Sequence, residues 1–251
     1  MNQILVTKKL YITPELKRKK KVYKFNFFLS VFLVCVLVSL CIYAEYDRNK
    51  SEEVSQELLS EFNQDVTDIS EKSDILIAVL DETEDSEGDV VSVVEEPPKE
   101  TTVNNNVAVK KTNEGFNYIT VASISIPKIS VNYSIIAGET GSLEETESLL
   151  KISPTKFWGP NPNEVGNFCV VGHNYRNSKF FSKVPTLQNG DIIEITDSSN
   201  RTINYEVYNK YEVVPEDTSC LDQVTNGKKE ITLITCTNDS KMRVIVKARE
   251  V

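Results

Sequence analysis

The residues best suited to covalent chemistry are a single histidine, His173, and three cysteines in the C-terminal half, Cys169, Cys220 and Cys236. A cysteine acts as a nucleophile at neutral pH when a base or a cation lies close to it. A lone histidine is more often structural than catalytic. An odd number of cysteines, however, leaves at least one thiol without a partner in its own chain. The spacing of these residues decides which thiol could react.

Cys236 is the cysteine whose position best fits a nucleophile. Cys169 lies four residues before His173 on the same predicted strand, about 13 Å away in extended chain, which excludes direct contact. Cys220 follows two acidic residues, whose charges disfavour a thiolate. Cys236 ends the strand-like run from Glu230, and a residue at the end of a strand is presented at the rim of a sheet.

Arg243 is the third candidate, because the last two predicted strands form a hairpin. With Asp239-Ser240 as a two-residue loop, Cys236 faces Arg243, and directly opposed side chains have Cβ atoms about 4.5–5.5 Å apart. From there Arg243 could stabilise a thiolate or donate to an oxyanion. The alternative is an ordinary surface arginine on a strand.

The elements that must position these three residues are short and rich in β-strands. From residue 118 onward about eight strand-like runs alternate with turn signals, over residues 118–121, 124–126, 131–136, 167–172, 192–196, 202–213, 230–236 and 242–249. Short helices are predicted from Leu143 to Ile152 and from Lys179 to Val184. This pattern predicts an all-β barrel or sandwich. No Cys/His spacing typical of zinc, no phosphate-binding glycine loop and no recognisable calcium-ligand cluster occurs. We therefore expect neither a metal nor a cofactor.

The N-terminal part of the sequence predicts how the barrel is attached to the cell. Residues 25–44 form an uncharged apolar run, long enough to cross a hydrocarbon core of about 30 Å. Residues 1–24 carry a net charge of +7 and residues 45–100 a net charge of −15, so the positive-inside rule predicts a cytoplasmic N-terminus and an extracellular C-terminal part. The alternative is a cleaved signal peptide, whose apolar region is usually shorter. A single-pass cell-membrane protein is expected.

Composition divides the remaining residues. Apolar residues at near-helical spacing over 51–70 predict an amphipathic stalk helix, and the acidic stretch over 81–113 predicts a disordered spacer. The predicted domains are a basic cytoplasmic arm (1–24), a transmembrane anchor (25–44), a stalk and linker (45–113) and a catalytic barrel (114–251). Residues 101–251 are nearly neutral. A nucleic-acid partner is therefore not expected, because no basic face is available to contact phosphates.

Three sequence motifs together resemble the signature of the sortases. They are Thr232-Leu233-Ile234-Thr235-Cys236, Arg243 at the start of the next strand, and Gly172-His173-Asn174. The similarity covers about residues 118–251 and includes Ile126-Pro127-Lys128-Ile129. It implies an eight-stranded β-barrel transpeptidase of Gram-positive cell surfaces, which cleaves an LPxTG-like sorting signal between Thr and Gly and joins the Thr carbonyl to an amine. The implied partners are surface proteins with a C-terminal sorting signal and an amine acceptor on a cell-wall precursor or pilin.

The resemblance also implies a role for each candidate residue. Cys236 would be the nucleophile that forms a thioacyl enzyme, His173 the general acid and then base, and Arg243 the residue that holds the substrate and stabilises the oxyanion. The single N-terminal anchor and the short connection before Arg243 look most like the class D group. The residues alone leave two other functions open: a surface cysteine peptidase that releases its product to water, and a non-enzymatic stalked β-barrel adhesion module.

Overall fold

The computed structural model describes residues 14–79 and 109–251. Most of the predicted cytoplasmic arm (1–13) and most of the predicted disordered spacer (80–108) lie outside the described residues. The chain divides into two compact units, residues 1–50 and residues 51–251.

The first unit contains the beginning of a long helix, α1 (Pro14–Val79). Among the described residues this is the one helix that is long and apolar enough to cross a membrane. Its large apolar side chains, such as Phe25, Phe28, Phe32 and Leu37, are exposed. Because a continuous exposed apolar surface is unfavourable in water, this segment is a candidate membrane anchor.

The second unit is built on a closed β-barrel. In chain order the strands are β1 (Lys110–Lys111), β2 (Asn117–Ile126), β3 (Val131–Gly138), β4 (Thr155–Trp158), β5 (Gly166–Val171), β6 (Ile192–Asp197), β7 (Thr202–Val213), β8 (Lys229–Cys236) and β9 (Arg243–Glu250). Around the ring the order is β2-β3-β4-β5-β8-β9-β7-β6, and β6 pairs with β2 to close it. The pairs β3–β4 and β5–β8 are parallel and the other pairs of the ring are antiparallel. The predicted eight-stranded barrel is confirmed; β1 is a short addition to β2.

Two details of the predicted elements differ from the structure. The two short runs predicted between Tyr118 and Ile126 form one strand, β2, which continues through a bulge between Thr120 and Ala122. The sequence did not predict β4. The count of eight was therefore correct although the assignment of strands was not.

The short helices agree with the sequence at one of the two predicted places. The helix predicted from Leu143 is α2 (Leu143–Leu150), and Ser142 caps it by accepting from the backbone N–H of Glu145. The helical turn predicted over 179–184 was wrong in position, because Phe180 forms a β-bridge with Asn174. The 3₁₀ turn begins only at Val184, where Pro185 at its start favours a helical φ.

Alternation along the strands separates the core from the face that carries the site. On β5, Phe168 and Val170 point into the barrel core, and on β8, Ile231 and Leu233 do the same. The intervening side chains point outward, where Ile234 packs in a smaller cluster under the β7–β8 connection. Successive side chains of a strand point to opposite faces, so every second side chain lies on the same face. Val171 and Ile234, at the ends of β5 and β8, therefore face the surface that carries the site, whereas the earlier outward residues Cys169 and Thr232 are buried.

The apolar stripe of the predicted stalk helix packs against the barrel. Within the second unit, Leu58 of α1 is buried in a cluster with Tyr118, Ile136 and Leu149. The hydroxyl groups of Ser55 and Ser153 lie 2.8 Å apart in a hydrogen bond. The part of α1 that follows Ser51 is thus a structural part of the barrel unit.

Candidate active site

The parallel pairing of β5 and β8 brings His173 and Cys236 to the same rim of the barrel. Val171, the last residue of β5, pairs with Ile234 of β8. Two residues further along, each strand reaches its candidate, His173 on one and Cys236 on the other. Both residues line one cavity of about 240 Å³. His173 and Cys236 thus follow or end two adjacent, parallel strands.

Hydrogen bonds beyond the regular pairing fix this rim. The N–H of Gly172 donates to the carbonyl of Ile234 at 3.0 Å, and the Thr235 hydroxyl donates to the carbonyl of Gly172 at 2.8 Å. The amide Nδ2 of Asn174 donates to the carbonyl of Cys236 at 2.9 Å. The residues on either side of His173 are therefore bonded to the end of β8, which sets the imidazole relative to the thiol.

Gly172 is required at its position by space. A Cβ built there would come within 2.5 Å of the Phe181 ring, which is completely buried. Any larger residue would displace either that ring or the backbone that leads to His173.

Arg243 lies beside the thiol, as the hairpin geometry predicted. Cys236 and Arg243 are directly opposed in the β8–β9 ladder. One residue further on, the N–H of Thr237 donates to the carbonyl of Met242, which closes the hairpin. The guanidinium Nη1 of Arg243 donates to Sγ of Cys236 at 3.3 Å. This contact places a cationic hydrogen-bond donor directly on the sulfur of the candidate nucleophile.

His173 is half-buried, and its surroundings decide its protonation. Burial lowers its pKa, and the positive charge of Lys151 adds to this, whereas the carboxylate of Glu147 on α2 opposes it. The ring of Tyr175 packs against the imidazole at 5.1 Å between centroids. A lowered pKa favours the neutral imidazole at neutral pH, and neutral imidazole is the form that accepts a proton.

The other two cysteines of the barrel are unsuited to nucleophilic chemistry. Cys169 is completely buried, and burial raises the pKa of its thiol to about 12. Burial also raises the pKa of Cys220; the acidic residue Asp217 contributes less than burial does. The sequence argument against Cys220 as the nucleophile thus agrees with the structure. The main reason, however, is burial of the thiol, which the sequence did not show.

A groove leads away from the three candidates. Its floor is apolar and consists of Val171, Ile234 and Ile245 on the outer faces of β5, β8 and β9. Helix α2 forms one wall, and the β7–β8 connection forms the other through residues such as Pro215 and Leu221. An apolar floor between two walls fits an extended peptide whose side chains are mostly uncharged.

Some residues of the site were missed by reasoning from the sequence. Asn174 and Thr235 belong to the sequence motifs, but their hydrogen bonds across the rim depend on the β5–β8 pairing. Glu147 faces the cavity because α2 packs beside β4. Such contacts are long-range, and no local signal in the chain indicates them. Within residues 14–79 and 109–251, no group of three His, Cys, Asp or Glu side chains could hold a metal ion.

Comparison with known families agrees with this geometry. The family model of the Sortase domain matches residues 124–251, about half of the chain. The chain belongs to the sortase family, whose members are cysteine transpeptidases with an eight-stranded barrel. It is therefore a sortase transpeptidase.

Several solved structures of sortases are similar to this chain. A sortase D5 transpeptidase from Clostridium perfringens is 35% identical, with 53% of this chain and 79% of that chain covered and a TM-score of 0.46. Sortase C-1 from Actinomyces oris is 28% identical, covering 52% and 72%, with a TM-score of 0.44. A lid mutant of sortase A from Corynebacterium diphtheriae is 30% identical, covering 53% and 71%, with a TM-score of 0.44. No curated protein sequence gives a significant match.

Proposed function

We propose that this sortase is anchored in the cell membrane of a Gram-positive bacterium, cleaves an LPxTG-like sorting signal between Thr and Gly, and transfers the protein to an amine of the cell wall. The observation that carries the proposal is the convergence of Cys236, His173 and Arg243 on one cavity, with the guanidinium of Arg243 on the sulfur.

In the first half-reaction Cys236 is the nucleophile. Its thiol proton passes to His173, and the sulfur attacks the Thr carbonyl carbon of the signal. The negative charge that develops on the carbonyl oxygen accepts a hydrogen bond from Arg243. The C–N bond to Gly then breaks as the imidazolium of His173 protonates the leaving amine. The products are a thioester on Cys236 and a free glycine amine.

In the second half-reaction the same groups act in reverse. An incoming amine attacks the thioester carbon and gives its proton to His173, and Arg243 again stabilises the oxyanion. The C–S bond breaks, the amide forms, and the sulfur takes the proton back from the imidazolium. The neutral imidazole that burial favours is the form needed to accept the proton of the incoming amine.

The location follows from the N-terminal segment. Residues 25–44 span the membrane in this proposal, residues 1–24 stay in the cytoplasm because of their basic charge, and residues 45–251 are extracellular, where sorting signals and wall amines are available. The short connection between Cys236 and Arg243 supports a class D-like assignment. The exposed apolar face of the helix within residues 14–50 supports the anchoring.

The test is a transpeptidation assay on the full chain in detergent. A quenched LPxTG-type peptide is incubated with and without an amine nucleophile, and the products and the protein are analysed by mass spectrometry. We expect amine-ligated product and an acyl adduct on Cys236; the Cys236→Ala variant gives neither, and Cys35→Ala behaves as wild type. Hydrolysis that amines do not change would indicate a peptidase. Unchanged peptide across a panel of sorting motifs, with no adduct, would indicate a non-enzymatic module.

A further inference from the structure

A second cavity, which we name the distal cavity, adjoins the active-site groove. It has a volume of about 930 Å³ and shares Thr146 and Phe157 with the cavity that holds Cys236. Its walls include Gly166 at the start of β5 and the residues 223–227 that lead into β8. The catalytic candidates stand at the other ends of these two strands. The two cavities therefore adjoin beside Thr146 and Phe157. The outer faces of β5 and β8 between the cavities are buried at Cys169 and Thr232.

Exposed apolar side chains concentrate in the distal cavity. Trp158 is 57% exposed, Val165 58% and Val224 76%, and they come from β4, the β4–β5 connection and the β7–β8 connection. Large apolar residues that converge from separate segments on one concave surface are typical of a binding site, whereas isolated exposed ones are not.

The frame that presents these side chains is fixed. Gln223 holds the start of β5 with both ends of its amide: it donates to the carbonyl of Asn167 and accepts from the Asn167 N–H, each at 3.0 Å. Gly159 has a φ of +90°, and a Cβ there would clash with the same carbonyl. The connections that carry Val165 and Val224 are therefore tied to one point, so the cavity is largely formed before a ligand binds.

The charged residues of the distal cavity already have partners. Glu145 accepts from the backbone N–H groups of Glu139, Thr140 and Gly141, and Lys156 donates to Asn161. Glu139 accepts from the side-chain amide of Asn117. Because these charges are engaged within the protein, the exposed side chains of Trp158, Val165 and Val224 are left to contact a ligand, and they favour an apolar one.

The distance between the two cavities identifies the segment of the substrate that reaches the distal cavity. From Gly166 to Val171 the strand rises about 17 Å, close to the length of five residues of extended peptide. The half of the substrate on the acyl side must stay aligned through both half-reactions, while the leaving half must give way to the amine. The apolar floor of the active-site groove therefore holds the acyl half, and the residues that precede it can reach the distal cavity past Thr146 and Phe157.

We propose that the distal cavity binds the two or three residues that directly precede the sorting signal, and that it selects apolar or aromatic side chains there. This inference rests on the proposed function. Trp158 and Val224 are the residues that determine this selectivity, because Trp158 has the largest apolar side chain of the distal cavity and Val224 is the most exposed of its apolar residues.

The first test measures binding without turnover, and it uses the fact that Trp158 is the only tryptophan of the chain. The Cys236→Ala full chain in detergent is titrated with three tryptophan-free peptides: the minimal signal, the signal preceded by three apolar residues, and the signal preceded by Gly-Ser-Gly. We expect a blue shift of the Trp158 emission with the apolar extension only. Equal spectra for the two extended peptides at saturation would overturn the proposal.

The second test measures kcat/KM with the active chain. The apolar extension should raise kcat/KM on the order of tenfold over Gly-Ser-Gly, through KM, and Trp158→Ala or Val224→Ser should bring that ratio close to one. Val214→Ala removes an apolar side chain that is also exposed but lies outside both cavities, and it should keep the ratio. A ratio near one in wild type, or a Trp158 effect on the KM of the amine alone, would overturn the proposal. Cleavage of none of the peptides would instead refute the proposed function.

Discussion

Arg243 donates a hydrogen bond from Nη1 to the sulfur of Cys236, at 3.3 Å, across the β8–β9 hairpin. The guanidinium thus touches the reacting atom before any substrate is present. It can stabilise an oxyanion in the transition state, because that charge develops on an atom bonded to the carbon that the sulfur attacks, within reach of the same planar group.

Arg243→Ala should therefore lower kcat by about 10²–10³-fold, the usual cost of removing one donor to an oxyanion. Arg243→Lys should retain part of the activity, since it keeps the charge but loses the planar fork. Peptide cleavage and the rate of acyl-adduct formation on Cys236 measure both effects. Lys241→Ala, in the exposed turn of the same hairpin, is the control and should behave as wild type. An alanine variant with unchanged kcat would remove Arg243 from the mechanism.

The hairpin shows what the sequence could predict. The opposition of Cys236 and Arg243 follows from one turn and the period of two along each strand, and both are local properties. The position of His173 at the end of a strand could also be predicted from the local sequence. The meeting of His173 with Cys236 depends on the parallel pairing of β5 with β8, which joins segments about sixty residues apart. Only the motif resemblance predicted that meeting, because spacing alone does not determine which strands pair.

The features that the sequence did not predict are long-range. Strand β4 has four residues and ends in two exposed aromatic side chains, so it shows no clear alternation. The distal cavity consists of segments from β4, the β4–β5 connection and the β7–β8 connection. Trp158 could not be distinguished from an isolated surface aromatic residue until the fold placed Val224 beside the same cavity.

The pKa of His173 is open to direct measurement because the chain has no other histidine. NMR titration of the imidazole should give a pKa below the usual 6.5, owing to burial. Glu147→Gln should lower it further, because the carboxylate that favours the imidazolium is removed, and Lys151→Gln should raise it. Glu144→Gln, on the exposed part of the same helix, serves as the control. Shifts in the opposite directions would contradict the assigned environment.

The same burial makes the stability of the protein depend on pH. The folded pKa of His173 lies below its unfolded value, so between the two the unfolded state binds more protons and stability rises with pH. Wild type should lose stability relative to His173→Gln as the pH falls through 6.5 toward the folded pKa, and the difference should be constant at higher pH. Thermal unfolding of both proteins at pH 5 and pH 7.5 in one detergent measures this. A difference that is independent of pH would show that the imidazole titrates normally.

Leu58 tests whether the helix that follows the candidate anchor is part of the barrel unit. Its side chain is 2% exposed and packs with Tyr118, Ile136 and Leu149, so Leu58→Ala should cost about 2–5 kcal/mol of stability through lost burial and a residual cavity. The melting temperature should fall by roughly 5 °C or more. Glu57→Ala, one residue earlier on the exposed face, should change stability by less than about 0.5 kcal/mol. Equal melting temperatures for the two variants would show that this helix does not pack against the barrel. On an undocked helix, truncation of Leu58 removes no buried contact and so does not change stability.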